Sequence, residues 1–338
     1  MKSNQVTIKD IARALGISAS TVSRALKDHP DISKTTKEQV NKLAADLNYR
    51  PNPIALSLRS RRSNVIGVII PEIVHYFFSS VISGIEKVAS EHGYSVMVSQ
   101  SSENFEKEVE LCDTFINSII DGLLISVSKE TDEYSHINLF REEEIPVVFF
   151  DRMIEEFPCD RVIINDFDGA YKATEHLIIE GRRRIVHFAG PQTRLIGRNR
   201  RDGYLQALKN NGVVVDESLI IPCDNFDKAI VETTKLIEQG VKFDAIFTAN
   251  DFTAAGALKV LKMRGLYVPR DVSVVGFGDD YIAKMTDPAL TSVQQPGFEM
   301  GQKAMEMLIH RINNPKSSDY KTDILPTSLV KRESSRGK

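Results

Sequence analysis

The chain has 338 residues, more than one core usually accommodates, so a small module joined to a two-part body is expected. Hydrophobic residues at 42% and charged residues at 26% exclude a disordered chain, and three widely spaced cysteines (Cys112, Cys159, Cys223) exclude a disulfide framework or a metal knuckle. The net charge of −3 hides a split: residues 1–62 carry twelve Lys or Arg against five Asp or Glu, a formal +7, whereas the remainder has 31 against 41, or −10.

The opening residues, "MKSNQVTIKDIARALG", hold no continuous apolar run, so neither a secretion signal nor a membrane anchor is expected, and the chain belongs in the cytoplasm. Thr7 offers an N-cap oxygen, and Ile8, Ile11, Ala12 and Leu15 recur at helical spacing, which predicts a short helix over about 8–14 ended by Gly16. Ser18 caps a second short helix through Leu26, with Val22, Ala25 and Leu26 inward. Two short helices joined by a tight glycine turn form a helix-turn-helix, whose second helix can enter a major groove.

The outer face of that second helix presents Ala19, Ser20, Ser23 and Arg24. Short side chains permit close approach to DNA, hydroxyls can hold phosphates, and one guanidinium fork suits a guanine edge or a phosphate. The alternative is an exposed polar face without a partner. Against it stands the basic charge, which suits a polyanion whose counterions are released on binding, while the acidic body would repel that partner.

A third helix is expected over about 34–48, where Val40, Leu43, Ala44 and Leu47 form an apolar stripe that closes a three-helix core. Pro51 and Pro53 then break the helix, and "IALSLRS" is too short to be a stable helix alone. That segment is either an ordinary linker or a hinge that folds on contact.

From Asn64 the texture becomes strand and helix in alternation. "VIGVII", "SVMVS", "GLLIS" and "VVFF" are short apolar runs, followed by helix-length stretches such as 78–92 and 103–119. The pattern returns with "RRIVHFAG", a helix over 200–211, "AIFTAN", a helix over 252–264 and "VSVVGFG". Two doubly wound parallel-sheet lobes in tandem would hold a ligand in the cleft between them, at strand carboxyl ends.

The stretches "VTIKDIARALGISASTVSRALKDHPDISKTT", "LNYRPNPIALSLRS", "VIGVIIP", "DGLLI", "GAYKATEHLIIEGRRRIVHFAGP", "TANDFTAAGALKVLKMRGLYVPRDVSVVGFGD" and "PALTSVQQP", in this order, carry a resemblance covering nearly the whole chain. The sequence resembles the lactose/galactose repressor family of bacterial transcription regulators. The resemblance implies an all-α helix-turn-helix DNA-binding domain over 1–50, a hinge over 51–62, and a periplasmic-binding-protein-like α/β core over 63–338. The core's first lobe would comprise about 63–162 and 291–325, and its second about 163–290 and 326–338.

It further implies a homodimer reading half-sites of a near-palindromic double-stranded DNA operator. Base contacts fall at positions matching Ala19, Ser20 and Arg24, and Ala19 offers only a methyl. Thr7, Ser18, Thr21, Ser23, Ser33, Thr36, Tyr49 and Asn52 match positions near the DNA backbone. Lys27 replaces a common asparagine and would grip phosphate through charge. Leu58 matches a leucine that wedges between central base pairs in the minor groove, against the alternative of a leucine packed on the third helix.

For the cleft, the resemblance implies a small-molecule effector, a sugar or sugar derivative, with a purine as the alternative. Asp151, Arg200 and Asn250 match ligand-contacting positions, with salt-bridge or N-cap roles as the alternative for each. Tyr76 and Phe77 follow the first strand where relatives place residues against the ligand ring, and Phe226 offers an opposite wall; routine core packing is the alternative. Gly278 stands where the family usually has a ligand-clamping aspartate, so either Asp279 substitutes through a small backbone shift or the clamp is absent. Effector binding would move the first lobes of the dimer and so bring the hinges together or apart.

Two other functions compete with this reading. A periplasmic sugar-binding protein would share the body, yet the basic N-terminal module speaks against it. An enzyme would need a catalytic constellation, and no G-x-x-x-x-G-K-[ST], H-E-x-x-H or G-x-S-x-G occurs, so no catalytic residue, metal or cofactor is expected. Within the regulator reading, a body that binds a co-regulator protein is the alternative to one answering a sugar. "PTSLVKRESSRGK" has no leucine-heptad tail, so tetramers through such a tail are not expected.

Overall fold

In the computed structural model, the described residues of the first unit of the chain, Met1–Asn64, form three helices: α1 (Ile8–Leu15), α2 (Ala19–Leu26) and α3 (Lys34–Asp46). The structure describes residues 6–49, 62–315, 317 and 319–336. The backbone N–H and hydroxyl of Thr7 both donate to Asp10, at 2.9 and 2.7 Å, and fix the entry to α1. Gly16 ends that helix at φ 64°, which lets the N–H of Ile17 reach the carbonyl of Ala12 at 3.0 Å. Ile11, Ala12, Val22, Ala25, Val40 and Ala44 form the buried core. The third helix stops short of its expected end because Asn48 turns left-handed, at φ 47°, and Tyr49 N–H bonds back to Ala44. Leu47 is consequently exposed and not a core residue.

In the second unit, Val65–Lys338, strand and helix alternate. They run β1 (Val65–Ile70), α4 (Tyr76–Glu91), β2 (Ser95–Gln100), α5 (Phe105–Asn117), β3 (Gly122–Ile125), α6 (Ser135–Glu142), β4 (Val147–Phe150) and β5 (Asp160–Ile164). Next come α7 (Asp166–Ile179), β6 (Ile185–Ala189), α8 (Leu195–Asn210), β7 (Ile220–Pro222), α9 (Phe226–Glu238), β8 (Ala245–Thr248) and α10 (Asp251–Met263). The series ends with β9 (Ser273–Gly278), α11 (Tyr281–Met285), β10 (Thr291–Gln294), α12 (Gly297–Asn313), β11 (Thr322–Leu325) and β12 (Ser328–Val330).

Two six-stranded sheets result, ordered β11-β5-β4-β3-β1-β2 and β12-β10-β9-β8-β6-β7. All pairings are parallel except that of β12 with β10. Strands β3, β4 and β8 are buried at every residue, as sheets covered by helices on both faces require. The expected lobe limits shift: β5 extends to Ile164, and β10 belongs to the second sheet, because its register with β9 pairs Thr291 with Val275 and Gln294 with Gly278. The chain therefore changes lobe after β5, after β10 and after β11. The first and third of these passages are tied together, Asn165 N–H donating to Leu325 O at 3.0 Å.

Close helix packing completes the first lobe. A Cβ on Gly84 of α4 would lie 2.1 Å from the carbonyl oxygen of Phe298, and one on Gly301 of α12 would lie 2.0 Å from that of Val81. Only glycine permits these two backbones to approach so nearly. Among the described residues, no helix is long and apolar enough to cross a membrane.

Candidate functional site

In the first unit the predicted hydroxyls act first as helix caps. Ser18 Oγ accepts from Thr21 N–H at 3.1 Å and lies 2.7 Å from Ser20 Oγ and 2.8 Å from Thr21 Oγ1. Ser33 accepts from Thr36 N–H at 3.2 Å, with the two hydroxyls 2.8 Å apart. These caps leave two helix N-termini facing outward, the polarity that receives a phosphate. Ser20, Arg24 and Lys27 are exposed, and Thr21 and Ser23 half-buried. Arg24 and Lys27 have no carboxylate within ion-pair distance among the described residues, whereas Lys37 is held by Asp28 at 2.7 Å. Ala19 and Tyr49 pack against the small core, and burial raises the pKa of the Tyr49 phenol. Asn52 and Leu58 lie outside the described residues.

The second unit contains a cleft of about 670 Å³ between its lobes, at the carboxyl ends of the strands. Phe77, Asp151, Arg200, Phe226 and Asn250 line it together. Helix α8 begins at Leu195, earlier than expected, which sets Arg200 more than a turn inside the helix and buries it. Its guanidinium donates to Asp166 at 2.7 Å and to the Ala249 carbonyl at 2.6 Å, and lies 3.6 Å from the centre of the Phe277 ring. Asp151 follows β4 with φ 60° and receives the Ser126 hydroxyl at 3.3 Å. Burial pushes its carboxyl up to about 6, against the opposing charge of Arg152. Asn250 caps α10: its oxygen accepts from Thr253 N–H at 2.9 Å and its amide donates to Asp224 O at 2.7 Å.

Two expected contacts are not brought into the cleft. Tyr76 sits on the outer rim, 40% exposed, its ring 4.4 Å from that of Tyr281. Asp279 takes φ 51°, and its carboxylate pairs with Arg332 at 2.6 Å, which draws it away from the opening. Gly278 and Asp280 line the cleft in its place.

Sequence reasoning missed several lining residues: Glu103, Lys129, Arg152, Arg194, Asp224 and Asp251. The signal for four of them was positional, since Glu103, Lys129, Arg152 and Asp224 each stand within a few residues of the end of a strand. Arg152 donates to both oxygens of Glu103 at 2.9 and 2.7 Å. Asp251 accepts from the Ser292 hydroxyl at 2.5 Å and from Asp280 N–H at 2.7 Å, and burial nevertheless pushes its carboxyl up to about 7. Among the described residues, no group of His, Cys, Asp and Glu side chains is arranged to hold a metal ion.

Residues 63–333 match the family model described as periplasmic binding proteins and sugar binding domain of LacI family, and residues 7–52 match that of bacterial regulatory proteins, lacI family. The chain belongs to the LacI family. It is a DNA-binding transcriptional regulator with a ligand-binding, periplasmic-type body. Among LacI-family relatives, the HTH-type transcriptional repressor PurR of Vibrio atlanticus is 33% identical over 91% of this chain and 92% of its own. The ribose operon repressor of Halalkalibacterium halodurans is 33% identical over 98% and 97%, respectively. The Lac repressor dimer bound to operator and the anti-inducer ONPF superposes with a TM-score of 0.85, at 27% identity, over 99% of this chain and 100% of that one. A complex of the transcriptional regulator CelR with cellobiose matches with a TM-score of 0.74, at 29% identity, over 97% and 99%.

Proposed function

We propose that this regulator binds a near-palindromic operator as a homodimer in the bacterial cytoplasm, as a repressor, and that an uncharged sugar-like effector in the cleft sets the strength of that grip. The observation that carries the effector class is the pairing of the cleft's charges. Arg152 is held by Glu103, Lys129 and Lys228 by Asp224, Arg200 by Asp166, and Arg194 donates to the Lys129 carbonyl, while Asp151, Asp251 and Asp280 add further carboxyls. A phosphorylated ligand would meet surplus carboxylates; vicinal hydroxyls would find both donors and acceptors at Asp151 and Arg200, with Phe77 and Phe226 as apolar walls. The names of two relatives, a ribose operon repressor and a cellobiose-bound regulator, support a sugar, while the equally similar PurR keeps a purine as the alternative.

On the DNA side, Ala19, Ser20 and Arg24 read bases. Thr7, Ser18, Thr21, Ser23, Lys27, Ser33, Thr36, Tyr49 and Asn52 hold the backbone, and Leu58 is the wedge. The exposed, unpaired guanidinium of Arg24 supports this reading of the second helix.

Calorimetric titration of the full-length protein with neutral sugars, sugar phosphates and purine nucleosides tests the effector class. A neutral sugar is expected to bind, and Arg200→Ala to weaken it by about tenfold or more. Preferential binding of a phosphorylated sugar or a purine would replace this reading, and binding of none would favour a protein co-regulator.

A further inference from the structure

The loop after β3 carries Lys129 across the cleft. Its ammonium lies 3.1 Å from Asp224 in the second lobe and 3.8 Å from Glu103 in its own. Its carbonyl oxygen accepts two hydrogen bonds from Arg194 of the second lobe, at 3.1 and 2.8 Å. Glu103 also receives the Lys129 N–H at 2.9 Å and the guanidinium of Arg152, whose Nε is 3.9 Å from Asp151. Charges thus alternate from Asp224 through Lys129, Glu103 and Arg152 to Asp151, from one lobe to the floor of the other.

The same loop is pinned from behind. Glu108 is fully buried and accepts from Ser128 N–H at 2.7 Å, from the Thr131 hydroxyl at 2.9 Å and from a ring nitrogen of His136 at 3.0 Å. A buried carboxylate so fully bonded resists rearrangement, because any released donor would be left unsatisfied. The first lobe therefore presents Lys129 at a fixed place, and its partners Asp224 and Arg194 stand on the second lobe.

We infer that Lys129 is an interlobe latch, a positioning residue that with Asp224 and Arg194 holds the lobes together and sets how long an effector stays. The part of this concerning an effector rests on the cleft being the effector site. The latch itself concerns only the two lobes. An ion pair 35% and 11% exposed is partly open to solvent, so added salt weakens it.

The test uses full-length protein with spin labels on cysteines introduced at Glu142 and Gln239, one on each lobe; the native Cys112, Cys159 and Cys223 are buried and stay unlabelled. With labelled protein diluted into an excess of unlabelled protein so that a dimer carries one labelled copy, electron–electron double resonance is expected to give one narrow interlobe distance in the parent. Lys129→Met and Asp224→Asn should each lengthen and broaden it, the double variant no further than either, and Lys129→Arg should restore it. Raising sodium chloride should broaden the parent's distribution and leave that of Lys129→Met unchanged. An interlobe distance indifferent to Lys129→Met overturns the latch whether or not any effector binds.

Ribose and cellobiose serve as probes in a second arm. Either sugar should leave Lys129→Met about five- to tenfold faster than the parent, the loss of a partly buried pair. Equal release rates overturn the role in retention. If neither sugar binds while the distance responds to Lys129→Met, ribose and cellobiose are not the effector and the latch stands.

Discussion

Arg200 serves three neighbours at once: the Asp166 carboxylate, the Ala249 carbonyl and the face of Phe277. Asp166 is itself buried, and burial raises its pKa despite the guanidinium beside it. Replacing Arg200 with Met leaves that carboxyl unpaired in the interior, and chemical denaturation should report a loss of about 3 kcal/mol. Asp251 gives a pH-dependent counterpart. Its folded pKa of about 7 exceeds the unfolded value near 3.9, so its contribution to stability is fully present below pH 4 and is lost as pH rises through about 7. The denaturation midpoint of the parent should fall over that range more than that of Asp251→Asn, by an equivalent of a few kcal/mol. At this scale the sequence was readable where a polar residue must sit at a strand end or a cap, as at Asp151 and Asn250. Asp279 was misread because a left-handed residue can aim its side chain either way, and Arg332, more than fifty positions along the chain, decides the direction.

Among elements, the central strands β1, β3, β4, β6, β8 and β9 announce themselves as apolar runs, since covering both faces of a sheet leaves no polar alternation. Of the edge strands β2 does so through "SVMVS", but others do not. Strand β11 reads Thr-Asp-Ile-Leu with Ile324 55% exposed, and β7 spans three residues, so neither has a pattern to detect. Helix α8 hid its first turn because "RLIGRNRRDGY" is dominated by charge, and its amphipathic face emerges only with Gly203, Tyr204 and Ala207. The contact between α4 and α12 carries a firm prediction. Gly84→Ala forces a methyl against the Phe298 carbonyl and should cost about 1 to 3 kcal/mol or more, lowering the body's calorimetric melting temperature. Ser83→Ala, one residue earlier on the exposed side, should leave that temperature within a degree or two of the parent.

For the whole molecule, the division of charge was legible from counting alone: +7 in the first 62 residues and −10 beyond. Its consequence is a DNA affinity that falls steeply with salt. In fluorescence titrations, Lys27→Ala should lower the slope of log K against log salt by about 1 and keep the preference for operator. Arg24→Ala should instead cost about 1–3 kcal/mol of discrimination against random DNA. The stretch over 51–61 is too short and too interrupted by Pro51 and Pro53 to carry a core pattern of its own, so its sequence leaves linker and hinge both open.

The three passages between the lobes constrain how they move. A single connection would let one half swivel like a ball in a socket, but three neighbouring pins, after Ile164, Gln294 and Leu325, leave one axis about which to swing, as for a door. Such a door has one opening direction and a limited travel. A protease that severed one pin would leave two still hanging the panel true.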